Sequence, residues 1–402
     1  MNQIVLKGGL IIDPSQKVHR IGSIAINNGR IAAIGGDISE AGAEKVFSMD
    51  GKIIAPGLID IHCHPAAGVL PGASSPDEIG LSRGVTTVCD AGSTGAANFE
   101  TMRRFVVEPA QTDVFCFLHL AHTGLITLPW NDELWDEHDI SVDHSKEVIE
   151  ANRDIIKGVK IRAVQSLAYG MGLRAIEIAK KLSTDVGLPL MMHIGNHRAR
   201  IPGDRMDDFS RAAVSLLEQG DILSHYLTRE SGGLILEDGV VYPELVAARE
   251  RGVILDSCHG FSHFSFAIAR HAIAQGLIPT VISTDLSPLS LETVQSLSVT
   301  MSKFINLGLT LDQVVEMTTL NAAQALREEN RRGSLRPGMI AAITVMELKK
   351  GDYIFGDGRG GEVIHGEVLL EPTMVIKADK VMPAYSGYHK PPACIPTREE
   401  NL

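Results

Sequence analysis

Residues 55–64 read Ala-Pro-Gly-Leu-Ile-Asp-Ile-His-Cys-His (APGLIDIHCH), an aliphatic run opened by Pro56-Gly57 and ended by His62 and His64. Turn residues at one end and a short aliphatic core predict a buried β-strand. Side chains alternate faces along a strand, so His62 and His64 point to one side and Cys63 to the other. Two imidazoles on one face can chelate, although a lone HxH pair is weak evidence by itself.

Seven further segments resemble this one in character: TTVCDAG (86–92), DVFCFLHLA (113–121), GVKIRA (158–163), LPLMMHIG (188–195), DILSHY (221–226), GVILDSCHG (252–260) and TVISTDL (280–286). Between several of them lie amphipathic stretches such as LRAIEIAKKLSTDV (173–186) and DFSRAAVSLLEQG (208–220). Strands alternating with helices over about 250 residues give an α/β chain and the bookkeeping of a (β/α)8 TIM-type barrel; an open doubly wound sheet alternates similarly. Residues 1–56 instead show short strands, with Asn28-Gly29 as a hairpin signal, and residues 336–383 return to that pattern. The expected architecture is a barrel over 57–335, a small β-sandwich domain built from both chain ends (1–56 and 336–383), and a Pro-rich polar surface tail over 384–402. Thr310 and Gln313 form a capping-box pattern ahead of VVEMTTL.

Composition narrows the function. The 402 residues carry 37 basic and 49 acidic side chains, a formal charge of −12, with 44% hydrophobic and 21% charged residues. That is globular composition, and the acidic balance argues against a nucleic-acid partner, which needs a basic surface. Five scattered cysteines without a CxxC pair fit reduced thiols. The first residues lack signal-peptide character and no apolar run reaches the roughly 18 residues of a membrane span, so a cytoplasmic protein is expected. Fifteen histidines against six tyrosines and two tryptophans hint at metal chemistry.

Reactive groups of a β/α barrel gather where its strands end. Reading those ends in order gives His62 and His64, then Lys160, His193, His225 and Asp285. A strand core would place Val or Ile there, so the set predicts a metal site. Lys160 has two readings. It is a lysine paired with an acid, or a desolvated neutral amine that adds carbon dioxide to become an anionic carbamate able to bridge two metals.

These motifs, with GVTTVCDAGSTGAANF, DSCHGFSHFSF and GSLRPG, resemble the amidohydrolase superfamily of metal-dependent hydrolases, and within it the dihydroorotase-like amidohydrolase/deacetylase family. The resemblance covers nearly the whole chain. It implies that His62, His64 and Asp285 hold one metal, that His193 and His225 hold a second, and that N6-carboxylysine at Lys160 bridges them with a hydroxide. Zinc fits these ligands, as manganese or iron also could. Two divalent ions against carbamate, aspartate and hydroxide leave the centre near +1 by about four minus three charges, attractive to an anionic small-molecule substrate. The implied chemistry is attack of metal-bound hydroxide, with Asp285 moving the proton.

For substrate contacts, Arg162 shares a strand face with Lys160 and suits a carboxylate clamp; a salt-bridged arginine is the plainer reading. The resemblance makes His259-Gly260 a substrate-contacting rim. Gly92-Ser93 and Gly95 could offer backbone N–H groups or form a plain tight loop. His119, His122, His197 and His263 match no ligand position of the family. The leading expectation is a deacetylase-like hydrolase cleaving an acyl amide or ester of a small carboxylate-bearing molecule. A cyclic amidase of dihydroorotase or hydantoinase type is the alternative, disfavoured because HCHPAAGVLPG lacks the arginine such enzymes carry after the HxH pair. A catalytically inactive scaffold would be expected to have lost ligands. A homo-oligomer is expected by analogy with the superfamily.

Overall fold

The computed structural model describes residues 3–36, 38–128, 133–196, 205–287, 289–358 and 361–390. The N-terminal segment forms β1 (Ile4–Asp13), β2 (Val18–Asn27), β3 (Arg30–Gly35), β4 (Lys45–Ser48) and β5 (Ile53–Pro56). The β2–β3 turn is Asn28-Gly29, with φ of +49° and +69°, the left-handed pair that a two-residue hairpin demands. After the central region come β13 (Ala342–Gly356), β14 (Val363–Lys377) and β15 (Lys380–Pro383). Both ends hydrogen-bond into one eight-stranded sheet, β15-β14-β13-β5-β1-β2-β3 with β4 on β1. A sandwich was expected; the strands instead follow one continuous path, because β5 pairs antiparallel with β13, Ile54 opposite Val345.

The central region supplies β6 (Leu58–Cys63), β7 (Val85–Ala91), β8 (Asp113–His119), β9 (Ile156–Ala163), β10 (Leu190–Ile194), β11 (Ile222–Ser224) and β12 (Ile254–Asp256). Among the described residues these form a parallel seven-stranded sheet in sequence order. TVISTDL, read as an eighth strand, makes only isolated parallel bridges, Asp256 with Val281 and Cys63 with Leu286. It therefore touches both edges of the curled sheet without forming a ladder. Asp60 explains part of this. Its carboxylate accepts the Thr284 hydroxyl and backbone N–H at 2.5 and 3.2 Å, so side chain replaces ladder at that point.

The amphipathic stretches form helices Leu173–Asp185 and Arg205–Val214, and the helix Leu311–Thr318 carries the full Thr310–Gln313 capping box. One large apolar cluster fills the space between the parallel strands and their helices, and a second underlies the small sheet. The two parts are joined by Thr344, whose hydroxyl donates to the Gly84 carbonyl at 2.7 Å and accepts the Leu58 N–H at 3.1 Å. The first part of the segment expected as a surface tail is anchored. Ser386 is buried and donates to Glu371 at 2.5 Å, and the Tyr388 hydroxyl bonds the Ile354 backbone. Residues 391–402 lie outside the described residues. No helix among the described residues is long and apolar enough to cross a membrane.

Candidate metal centre

The parallel sheet delivers the polar side chains from its strand ends. β6 carries His62, with His64 just beyond it. β9 carries Lys160 and Arg162, opposite Met191 and His193 of β10. His225 follows β11, and Asp285 sits between the two isolated bridges. His225, Cys258 and Asp285 adopt φ of +67°, +34° and +53°. Left-handed backbone at non-glycine residues costs energy and concentrates where function constrains the chain.

These groups converge. The ligand atoms of His62, His64 and Asp285 all lie within 4.8 Å of one another, with His64 Nε2 3.1 Å from Asp285 Oδ1. Lys160 Nζ lies 3.1 Å from His62 Nε2. The His193 and His225 rings are 4.2 Å apart between centroids, and His225 is 5.1 Å from His62.

Neighbouring hydrogen bonds set the tautomers. Ser224 Oγ donates its proton to Asp256 Oδ2 at 2.8 Å, so the contact from His62 Nδ1 to Ser224 Oγ at 3.0 Å must be donated by the ring. That leaves Nε2 of His62 with a lone pair. His225 Nδ1 faces the Cys258 carbonyl at 2.8 Å, which can only accept, so Nε2 again holds the lone pair. His193 reverses the pattern: Nε2 donates to the Gly195 carbonyl at 3.1 Å, leaving Nδ1 as the basic nitrogen. Metal-binding histidines are oriented in this way, by a fixed bond to the other nitrogen.

Electrostatics agree with neutral imidazoles. Burial holds His62 and His193 well below the ordinary histidine range, helped by the Lys160 charge at His62 and by His225 at His193. Burial lowers Lys160 to about 8, against the pull of Cys258, Asp285 and Asp256. At Asp285 burial acts upward, but the hydrogen bond and charge of His64, then His263 and Lys160, outweigh it and keep the carboxylate below its usual value. Behind the centre, burial raises Asp60 to about 7 and Asp256 to about 6.

The sequence profile of the amidohydrolase family matches residues 53–369. The chain belongs to the amidohydrolase family. A deacetylase of Agrobacterium fabrum is 34% identical over 352 residues, 87% of this chain and 83% of that protein. A solved structure described as a dihydroorotase superposes with a TM-score of 0.84 at 31% identity over 95% of this chain and 98% of that one. Another, described as an adenine deaminase, gives 0.85 at 26% identity over 95% and 100%. Members of the amidohydrolase family are typically metal-dependent, and the donor set here fits: lone-pair imidazole nitrogens, a carboxylate and a buried lysine in one cluster.

The substrate contacts read from sequence fare differently. Arg162 Nη1 donates to both carboxylate oxygens of Glu133 at 2.9 and 3.1 Å. Ser93 is fully buried, with its hydroxyl 2.9 Å from His64 Nδ1. The N–H groups of Gly92 and Ser93 are taken by Asp90 Oδ1 and that of Gly95 by Asn98, so these three amides are already bonded within the loop that holds Ser93 against His64. His259 is also fully buried. Its Nδ1 donates to the Gly260 carbonyl at 2.9 Å, and its Nε2 accepts from Lys303 Nζ at 2.7 Å. Gly260, at φ +60°, lies against Asp285; a Cβ there would stand 2.8 Å from Asp285 Oδ2.

Sequence reading missed several members. Cys258 joins His62 and His225 in a second ligand-capable group, although burial raises its thiol well above the ordinary range. His263, already noted near a strand end as matching no ligand position, lies 4.8 and 4.5 Å from the His193 and His225 rings. Ser224, Asp256 and Ser283, which orient His62, were visible as polar residues in otherwise aliphatic strands. Glu133 came from a stretch with no periodic signal. His122 pairs with His144 at 3.0 Å, and His197 lies outside the described residues.

Proposed function

We propose that this chain is a binuclear metal-dependent hydrolase that removes an acyl group, deacetylase-like, from an amide or ester of a small carboxylate-bearing molecule. The observation that carries the reading is convergence: His62, His64 and Asp285 bring ligand atoms within 4.8 Å of one another, with the His193 and His225 rings and buried Lys160 beside them. His62, His64 and Asp285 would hold one ion, and His193 and His225 the other. Zinc suits the imidazole-rich set. When bound, such ions supply polarisation of the scissile carbonyl and acidification of a water.

The chain's own residues do the rest. Lys160, carrying no carboxylate in bonding reach among its described contacts, would first lose one proton to become the neutral amine that burial favours; the amine then adds carbon dioxide at Nζ, an N–C bond forming, one C=O π pair moving to oxygen and a second proton leaving, to give an anionic N6-carboxylysine. Asp285, held between His64 and Gly260, accepts the proton of the attacking water and returns it to the leaving nitrogen or oxygen. Arg162 faces the substrate carboxylate. Ser93, His259 and Gly260 position His64 and Asp285. The reading includes a cytoplasmic location and a homo-oligomer, the second of which light scattering checks.

The likeness to a dihydroorotase structure favours a second reading, a cyclic amidase. One panel separates them: metal-replete protein with N-acetyl and O-acetyl acids of both chiralities, dihydrouracil and hydantoin. Turnover of the acyl acids supports the first reading; ring opening alone replaces it with the second.

A further inference from the structure

His119 ends β8, and its ladder partner is Lys160 on β9. It is fully buried. Its Nδ1 accepts the Ala121 N–H at 2.9 Å, so the proton resides on Nε2. Among the described residues that buried N–H has no hydrogen-bond partner. Glu133 Oε1 stands 3.9 Å from it, drawn off by its bond to Arg162. Glu133 and Arg162 are themselves buried.

Two donors, the Arg162 guanidinium and the His119 Nε2–H, thus face one carboxylate that satisfies only the first. A buried donor left without an acceptor is costly, and a carboxylate has lone pairs enough for both. The donors are rigid, each on a strand of the parallel sheet. Glu133 comes from the connection between β8 and the helix Val142–Ala151, which has only turns, an isolated bridge and the short 3₁₀ segment Glu137–Asp139 among its described residues. Arg162 lies two residues along β9 from Lys160, about 7 Å at strand spacing, so a carboxylate on Arg162 belongs to a molecule whose acyl group reaches the metal centre.

We propose that His119 and Arg162 form a carboxylate-binding subsite, that Glu133 fills it in the substrate-free protein, and that the substrate carboxylate takes the place of Glu133 by accepting from both. This rests on the reading of a carboxylate-bearing substrate and adds to it a second donor and an internal stand-in.

Thermal unfolding of the metal-replete protein in sodium acetate, against sodium chloride of equal ionic strength, tests it. Glu133→Ala should melt lower than wild type in chloride and recover several degrees in acetate, while wild type shifts by under about one degree, since only ligand bound to the folded state raises Tm. Adding Arg162→Met to Glu133→Ala should abolish the acetate response, and adding His119→Gln should raise its half-saturating concentration at least tenfold. If Glu133→Ala does not fold, Glu133→Gln carries the same test. The proposal falls if acetate leaves both Glu133 variants unmoved, if the response survives Arg162→Met (acetate on the metals), or if His119→Gln does not change half-saturation. Binding is read here without turnover. A failed substrate panel with an intact acetate response therefore overturns the hydrolase reading alone, and the converse overturns the subsite alone.

Discussion

Two lysines, Lys160 and Lys303, are each buried to 1% exposure, and each meets the Nε2 of a histidine, at 3.1 and 2.7 Å. Burial lowers both ammonium groups, to about 8 and about 7. Their surroundings differ. Lys303 donates to His259 and to the Thr293 carbonyl at 2.7 Å, and His259 spends its other nitrogen on Gly260. Donors and acceptors there match. Around Lys160 the imidazoles of His62, His193 and His225 and the Asp285 carboxylate converge on one space. A buried lysine is therefore not in itself a sign of chemistry. A convergence of imidazole and carboxylate groups is, because such a set can hold a positive ion.

The comparison can be broken or sharpened by mutation. Asp285→Asn takes one acceptor from the open centre, and we expect the largest effect: kcat down by about 10²–10⁴-fold with Tm nearly unchanged, read by steady-state kinetics and a melting curve. Near-wild-type turnover would remove Asp285 from the proton transfer. Next, Ser224→Ala or Asp256→Asn frees the His62 tautomer. Metal affinity should fall by roughly 10–100-fold, read by competition with a chromophoric chelator; the matching loss from both variants would mark them as one relay.

The closed region should respond less and in a different observable. Lys303 has its folded-state value near 7 and an ordinary value of 10.5. Between those values the unfolded chain holds a proton that the folded chain does not, so wild-type stability gains up to about 1.4 kcal/mol per pH unit as pH rises through that window. Lys303→Met should lose this slope while keeping turnover measurable. Urea unfolding at pH 7, 8 and 9 checks it; parallel curves for wild type and variant would refute the assignment.

How far this was legible follows from the kind of information each part needs. The HxH pair, Lys160, His193, His225 and Asp285 are readable because strand parity and strand ends are local properties. The hairpin at Asn28-Gly29 and the cap at Thr310 are local as well. The Arg162–Glu133 pair, the Lys303–His259 pair and the Asp256–Ser224–His62 relay join residues 29, 44 and more than a hundred positions apart. Nothing in a one-dimensional pattern says which buried polar groups will satisfy each other. The eighth segment differs for a related reason: TVISTDL bonds its backbone to both edges of the sheet, but Asp60 takes the Thr284 N–H, and the pairing stays at isolated bridges.

The Leu58–Thr344 bond spans 286 residues, and β5 must wait for β13 to complete the small sheet. At about 5–20 residues per second of synthesis, β1 to β5 stand on the nascent chain for roughly 14–57 s with one sheet edge open. β5 runs through Gly57 into β6, the strand that carries His62, so a segment translated late sets when the strand of the first candidate ligands acquires its final support. Truncation near residue 342 would then be felt at His62, at the far end of the coding order.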